Sequence, residues 1–168
     1  LAAAQLGWVV VPADVLVVAQ HVQPLGDRIV DHERVAFVAR LERGPVSALR
    51  WGSIDSPDAP PRVVFLHGGG QNAHTWDTVV LGLGLPALAI DLPGHGRSAW
   101  REDGDYGPRS NAATVEPVIR ELAPDADLLV GMSLGGLTAM RLAVTAPDLV
   151  RRLVMIDVTP SAPERHEQ

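Results

Sequence analysis

The sequence predicts an α/β fold, in which an N-terminal β-hairpin precedes a mostly parallel, doubly wound sheet. Short runs made only of apolar residues, such as 63–66, are typical of parallel strands that are buried on both faces. Segments with helical patterning alternate with these runs along the chain. The length of 168 residues suits one domain, and 46% hydrophobic residues is far from the composition of disordered chains.

The hairpin is predicted from two short β-branched runs, 34–41 and 46–51. The turn-forming cluster Glu42-Arg43-Gly44-Pro45 separates them. Residues 1–32 are rich in valine but have no clear period, so we treat them as an N-terminal extension without a predicted role. The α/β domain is therefore expected to occupy 33–168.

After a proline-rich loop at 56–61, predicted strands and helices alternate. The order strand, helix, strand, helix, strand, helix, strand indicates right-handed βαβ connections. Asn111 is the predicted N-cap of the second helix, after a long polar loop. The strands are predicted at 63–66, 87–90, 128–130 and 149–156, and the helices at about 73–83, 113–123 and 134–144.

The segment after the strand at 128–130 carries the strongest chemical signal, because ligands bind at the carboxyl ends of parallel strands. Gly131-Met132-Ser133-Leu134-Gly135-Gly136 fits the pattern G-x-S-x-G. This spacing supports a serine nucleophile on a sharp strand-to-helix turn, since the flanking small residues let strand and helix approach closely. The N–H of Leu134 then lies at a helix N-terminus and can stabilise an oxyanion. The alternative is a serine that only caps the helix.

Three further segments accompany the serine turn: His67-Gly68-Gly69-Gly70, Asp91 to Ser98, which fits D-x-P-G-x-G-x-S, and Ala146 to Asp157. Together the four segments, in this order, resemble the N-terminal part of an α/β-hydrolase of the serine esterase or lactonase-like branch, and the run 67–70 resembles the family's oxyanion loop. The resemblance covers about residues 34–160.

The resemblance implies that Ser133 is the nucleophile and that the backbone N–H groups of Gly69 and Leu134 are the oxyanion donors. Glycine suits position 69 because it lets main chain approach the reacting carbonyl closely, although an ordinary glycine turn is the alternative. The histidine of this loop is implied to support it and not to act as the base. The supporting residues are His67, Gly68, Gly70, Gly131, Gly135 and Gly136.

In this family the triad follows the order Ser, then Asp or Glu, then His along the chain, so the acid and the base must come after Ser133. The sequence defines these two residues less clearly than the nucleophile. Asp157 ends the strand beside the nucleophile strand and is the candidate acid; the alternative is a structural turn residue. His166 is the only histidine after the serine, and nothing in the sequence holds it in place. We therefore expect the domain to be truncated at its C-terminus, with the base and a substrate-shaping cap beyond Gln168. Such a truncation would leave one edge of the strand at 149–156 unpaired. Other acids after the serine are Asp148, Glu164 and Glu167.

Composition and motifs disfavour several other functions. A net charge of -6 without a basic run argues against nucleic acid as a partner. No cysteine is present for a thiolate nucleophile or a zinc site, and no histidine spacing indicates another metal centre. Gly82-x-Gly84-x-x-Ala87 precedes a strand instead of following one, so it does not fit a dinucleotide-binding turn.

The expected function is hydrolysis of esters, lactones or related acyl compounds through an acyl-enzyme, with a small-molecule acyl substrate and neither cofactor nor metal. The apolar stretch from Leu6 to Val22 is interrupted by polar residues, which argues against a membrane span and favours a cytoplasmic protein. The alternative function is a non-catalytic small-molecule binder, or a degenerate fragment, with the same fold. The sequence indicates no oligomeric state.

Overall fold

A computed structural model describes residues 8–11, 15–18, 37–52 and 59–158. The strands are β1 (Trp8–Val11), β2 (Val15–Val18), β3 (Phe37–Arg43), β4 (Val46–Gly52), β5 (Val63–Leu66), β6 (Ala87–Ile90), β7 (Leu128–Met132) and β8 (Leu153–Ile156). The helices are α1 (Asp77–Leu83), α2 (Pro108–Leu122) and α3 (Leu134–Thr145), with short 3-10 helices at Ala73–Trp76 and Pro147–Leu149.

The described strands form one sheet in the order β1-β2-β8-β7-β5-β6-β4-β3. Its centre is parallel: β8 pairs with β7, β7 with β5, and β5 with β6. The hairpin of β3 and β4 adds to this centre by antiparallel pairing of β4 with β6. The predicted fold class is therefore confirmed, a mostly parallel sheet with an antiparallel hairpin.

The turn of the hairpin is tighter than the sequence indicated. Arg43 pairs with Val46, which leaves only Gly44 and Pro45 in the turn. Gly44 has a φ of +60°, a conformation that glycine adopts without a steric penalty.

One expectation about the sheet is wrong. The edge of β8 away from β7 is not unpaired, because β2 lies along it in parallel register, with Val15 opposite Leu153. β1 then pairs with β2 in antiparallel orientation. Both of these strands come from the segment 1–32, for which the sequence predicted no role.

Apolar side chains cover both faces of the sheet, because successive residues of a strand point to opposite sides. In β5, Val64 and Leu66 join the core cluster that includes α2 and α3, whereas Val63 and Phe65 join the cluster on the side of α1. All four residues are buried. Helices on both faces explain why these strands consist of uninterrupted apolar runs.

Two predicted boundaries need correction. Asn111 is not the N-cap of α2: the helix begins at Pro108, whose fixed φ suits a first helical position, and Asn111 lies buried inside the first turns, where its Nδ2 donates to the Tyr106 carbonyl. The last strand begins at Leu153 and not at Leu149, because Pro147 starts a 3-10 helix that contains Leu149.

Candidate active site

Ser133 lies between β7 and α3 in a backbone conformation that non-glycine residues rarely adopt. Its φ is +48° and its ψ is -115°. Such a conformation costs on the order of 1–3 kcal/mol, so the surrounding structure must hold it. The N–H of Ser133 donates to the Ile156 carbonyl at 2.9 Å, and its carbonyl accepts from the Leu137 N–H at 3.0 Å. The residue is exposed, so this strained turn presents the serine to solvent.

The glycines around Ser133 are required by contacts between backbones. A Cβ atom on Gly135 would lie 2.3 Å from the Leu66 carbonyl oxygen and 2.5 Å from that of His67. A Cβ atom on Gly131 would lie 2.5 Å from the carbonyl oxygen of Gly135. The start of α3 therefore packs directly on the ends of β5 and β7, with no space for a side chain.

Replacing Gly135 by alanine is expected to destabilise the fold by about 3 kcal/mol or more, because the new methyl group meets main-chain atoms that cannot rotate away. Chemical denaturation of the variant measures this change. The matched control is Gly82→Ala in α1, where a Cβ would meet nothing within 4 Å. That substitution should be neutral or stabilise the protein by up to about 1 kcal/mol. Equal stabilities of the two variants would contradict the close backbone packing.

The glycine loop after β5 lies beside the serine. A Cβ atom on Gly68 would be 3.5 Å from the Cβ of Ser133, whereas a Cβ on Gly69 would meet nothing within 4 Å. Gly69 and Gly70 are exposed, and Gly70 has a φ of +73°. Among the described residues, no atom accepts a hydrogen bond from the Gly69 N–H. The loop beside Ser133 therefore contains an N–H donor that no described residue uses.

The N–H of Leu134 is the second available donor. Leu134 is the first residue of α3, and the first N–H groups of a helix have no acceptor within the helix. The partial positive charge of the helix N-terminus adds to the attraction for an anion at this point.

His67 is buried, and both of its ring nitrogens are engaged. Its Nδ1 lies 2.8 Å from the Gly68 carbonyl oxygen, and its Nε2 accepts a hydrogen bond of 2.9 Å from the Leu92 N–H. Because a backbone N–H can only donate, Nε2 carries no proton and Nδ1 is the donor to Gly68. Burial lowers the pKa of His67, which also favours this neutral form. The ring therefore links the glycine loop to the loop after β6 and has no nitrogen free to accept a proton from Ser133.

The loop after β6 is folded around the buried carboxylate of Asp91. This carboxylate accepts hydrogen bonds from the N–H groups of Ala73 at 2.7 Å and Arg97 at 3.0 Å. Gly96 passes so close that a Cβ there would lie 2.3 Å from the Asp91 Cγ. The hydroxyl of Ser98 donates to the Asp91 carbonyl and accepts from the N–H of Ser47. These bonds explain the D-x-P-G-x-G-x-S pattern: its Asp, Gly and Ser hold the loop in place and attach it to Ala73 and to Ser47 of β4.

Asp157 and Ser133 follow adjacent parallel strands at the same edge of the sheet. Met132 and Ile156 are register partners at the ends of β7 and β8, so the next residue of each strand is Ser133 and Asp157. Asp157 is exposed and has a φ of +54°. Like Ser133, it is held in an unusual conformation at the end of a strand.

The other acids are placed differently. Asp148 lies before β8, at the opposite end of that strand from Asp157, and makes a 2.6 Å ion pair with Arg120. The hydrogen bond from Arg120 lowers the pKa of the Asp148 carboxyl. Glu164, His166 and Glu167 lie outside the described residues.

Sequence reasoning missed one residue of this site. Gln71 directly follows the glycine run, and its Oε1 accepts a hydrogen bond of 2.8 Å from the N–H of Gly68. Only its position next to the glycines could have drawn attention to it.

The sheet, the serine turn and the glycine loop define an α/β-hydrolase. The model of the Alpha/beta hydrolase family matches residues 63–167, and the chain belongs to this family. Of the described helices, none is long and apolar enough to cross a lipid bilayer.

Among curated relatives, Esterase Rv0045c from Mycobacterium tuberculosis is 66% identical over 131 residues, which make up 78% of this chain and 42% of the relative. The pimeloyl-[acyl-carrier protein] methyl ester esterase of Klebsiella pneumoniae is 37% identical over 117 residues, 66% of this chain and 40% of the relative. The chain thus spans about two fifths of the length of these relatives.

Solved structures agree with this fold. A structure of the M. tuberculosis esterase Rv0045c superposes with a TM-score of 0.71 at 66% identity, covering 79% of this chain and 44% of that one. The thioesterase domain from the curacin biosynthetic pathway superposes with a TM-score of 0.65 at 30% identity, covering 77% of this chain and 48% of the domain.

Proposed function

We propose that the whole protein is a serine hydrolase of esters, lactones or related acyl compounds, with Ser133 as its nucleophile. The observation that carries this proposal is the strained, exposed Ser133 beside the glycine loop, in which the Gly69 N–H has no acceptor among the described residues. A strained conformation that the fold actively holds is typical of functional sites. The esterase relatives support the same class of reaction.

In the proposed reaction, the Oγ of Ser133 attacks the carbonyl carbon of the substrate while a base takes the hydroxyl proton. The carbonyl oxygen becomes an oxyanion, which the N–H groups of Gly69 and Leu134 stabilise. The tetrahedral intermediate collapses, the bond to the leaving oxygen breaks, and the proton passes to that oxygen. Water then attacks the acyl carbon by the same route and releases the carboxylic acid and free Ser133.

Within this mechanism we assign the acid to Asp157, which would orient the base and stabilise its positive charge. The base itself is a histidine that we place after β8. His166 is one candidate for it, and a residue beyond Gln168 is the other.

A fluorophosphonate probe tests the proposal directly, because an activated serine displaces its fluoride and becomes phosphonylated. We expect the whole protein to be labelled once, on the peptide that contains Ser133, and to hydrolyse p-nitrophenyl esters of short acids. Peptide mapping by mass spectrometry locates the label, and p-nitrophenolate absorbance measures turnover. A protein that binds acyl compounds but neither labels nor turns them over would be a non-catalytic binder, contrary to the proposal.

A further inference from the structure

Gln71 and Gly68 are joined by two reciprocal hydrogen bonds. The N–H of Gly68 donates to Oε1 of Gln71 at 2.8 Å, and the backbone N–H of Gln71 donates to the Gly68 carbonyl at 3.2 Å. The side-chain amide has a defined orientation, because the Gly68 N–H is a donor and only the oxygen of the amide can accept from it. Gln71 therefore closes the glycine loop on itself.

The direction of the Gly69 N–H depends on the Gly68 carbonyl, because both belong to the same peptide unit. The described chain contains no cis peptide bond, and in a planar trans peptide the C=O and N–H point in opposite directions. The Gly68 carbonyl is held by Nδ1 of His67 at 2.8 Å and by the N–H of Gln71. With the carbonyl fixed on one side, the N–H of Gly69 is fixed on the other.

The side chain of Gln71 also removes a competing donor. A Cβ atom on Gly68 would lie 2.9 Å from Oε1 of Gln71 and 3.5 Å from the Cβ of Ser133, so the amide oxygen and the serine both lie next to Gly68. Without Oε1, the Gly68 N–H would need a different acceptor, and a rotation of the loop towards one would turn the Gly69 N–H away. The bond thus adds the Gln71 side chain to the groups that hold the glycine loop, besides Nδ1 of His67 and the backbone N–H of Gln71.

We propose that Gln71 is a positioning residue that aims the Gly69 N–H at the oxyanion of the reaction proposed above, on which this inference rests. Gln71 acts through the loop, since its side-chain oxygen accepts from the Gly68 N–H and, among the described residues, no hydrogen bond joins it to Ser133. Its removal should therefore weaken binding of the transition state and leave binding of the ground state unchanged. One hydrogen bond to an exposed side chain corresponds to a loss of about 3- to 10-fold in kcat.

Gln71→Met tests this inference, since methionine has a similar length but no comparable acceptor. In the whole protein, we expect kcat for p-nitrophenyl butyrate to fall about 3- to 10-fold while KM changes by less than about 2-fold. The inhibition constant of a trifluoromethyl ketone, which forms a tetrahedral adduct with an active serine, should rise by the same factor as kcat falls.

Asn72→Ala is the matched control. It removes the neighbouring side-chain bond, in which Oδ1 of Asn72 accepts from the His74 N–H at 2.9 Å to cap the 3-10 helix. We expect this variant to lower the melting temperature and to keep kcat within about 2-fold. An equal fall of kcat in both variants would mean that Gln71 contributes only to the general stability of the loop, and it would overturn the inference.

A second measurement is independent of activity. Amide hydrogen exchange of the whole protein should show a protected Gly68 N–H and an unprotected Gly69 N–H. Gln71→Met should remove the protection of Gly68, and Gln71→Glu, which keeps an acceptor oxygen, should restore it. An unprotected Gly68 in the unsubstituted chain would overturn the inference.

The outcomes separate the two proposals. If Ser133 is labelled by the fluorophosphonate and Gln71→Met leaves kcat unchanged, or changes only KM, the positioning role is wrong and the hydrolase function remains. If Ser133 is not labelled at all, both proposals fail.

Discussion

Ser133→Ala is expected to lower kcat/KM for an acyl ester by about 10⁴- to 10⁶-fold in the whole protein and to abolish fluorophosphonate labelling. Alanine removes the only atom that forms the covalent bond to the acyl group. The residual rate would come from the oxyanion donors and from substrate binding alone. The folded state should be kept, because the strained backbone of Ser133 is held by main-chain bonds to Ile156 and Leu137 and not by its hydroxyl.

Ser110→Ala is a suitable control for this experiment. In the first turn of α2, where the loop after β6 ends along the chain, the hydroxyl of Ser110 donates to the Asp105 carboxylate. The variant should keep both labelling and turnover. Esterase activity that survives Ser133→Ala, with the label on another residue, would show that the nucleophile lies elsewhere.

The sequence predicted β5 and β6 accurately because their burial on both faces leaves no polar residue within them. The predicted bounds of β5 and β6 coincide with the structure. The serine turn was equally clear, since the close approach of α3 to β5 and β7 permits only glycine at 131 and 135. In β5, β6 and the serine turn, the local sequence pattern and the tertiary packing require the same residue types.

Other features depend on contacts that a local pattern does not contain. Asn111 resembles an N-cap in the sequence, but Pro108 starts the helix earlier and the amide of Asn111 binds Tyr106 instead. The bond from Gly68 to Gln71 exists only because the glycine loop folds back on itself. The pairing of β2 with β8 joins segments that are more than a hundred residues apart in sequence, and no periodicity indicates such a partner.

Two buried side chains, His67 and Asp91, link the glycine loop, the loop after β6 and the 3-10 helix at Ala73–Trp76. His67 bonds to the glycine loop through Nδ1 and to the loop after β6 through Nε2, and Asp91 ties that second loop to the 3-10 helix at Ala73. The glycine loop beside Ser133 is therefore supported by the buried, neutral ring of His67. The hydrogen bonds from the N–H groups of Ala73 and Arg97 stabilise the buried carboxylate of Asp91.

Asp157→Asn is expected to lower kcat by about 10⁴-fold, because an amide in place of the carboxylate stabilises the wrong tautomer of the catalytic histidine and does not balance its positive charge. KM should change little, since the acid does not contact the substrate. Labelling of Ser133 by the fluorophosphonate should slow by a similar factor, because the same histidine activates the serine in both reactions. Steady-state kinetics with a p-nitrophenyl ester and time courses of labelling measure the two effects.

Asp148→Asn is the matched control, because it makes the same change of charge at an acid in the 3-10 helix that precedes β8. Asp148 is exposed at the opposite end of β8 and pairs with Arg120, so its loss should remove only a surface ion pair and leave kcat within about 2-fold. The decisive comparison is between the two variants in the same protein. If Asp157→Asn also stays within about tenfold of the unsubstituted enzyme, the unusual φ of Asp157 serves the turn after β8, and the acid of the triad lies on another strand.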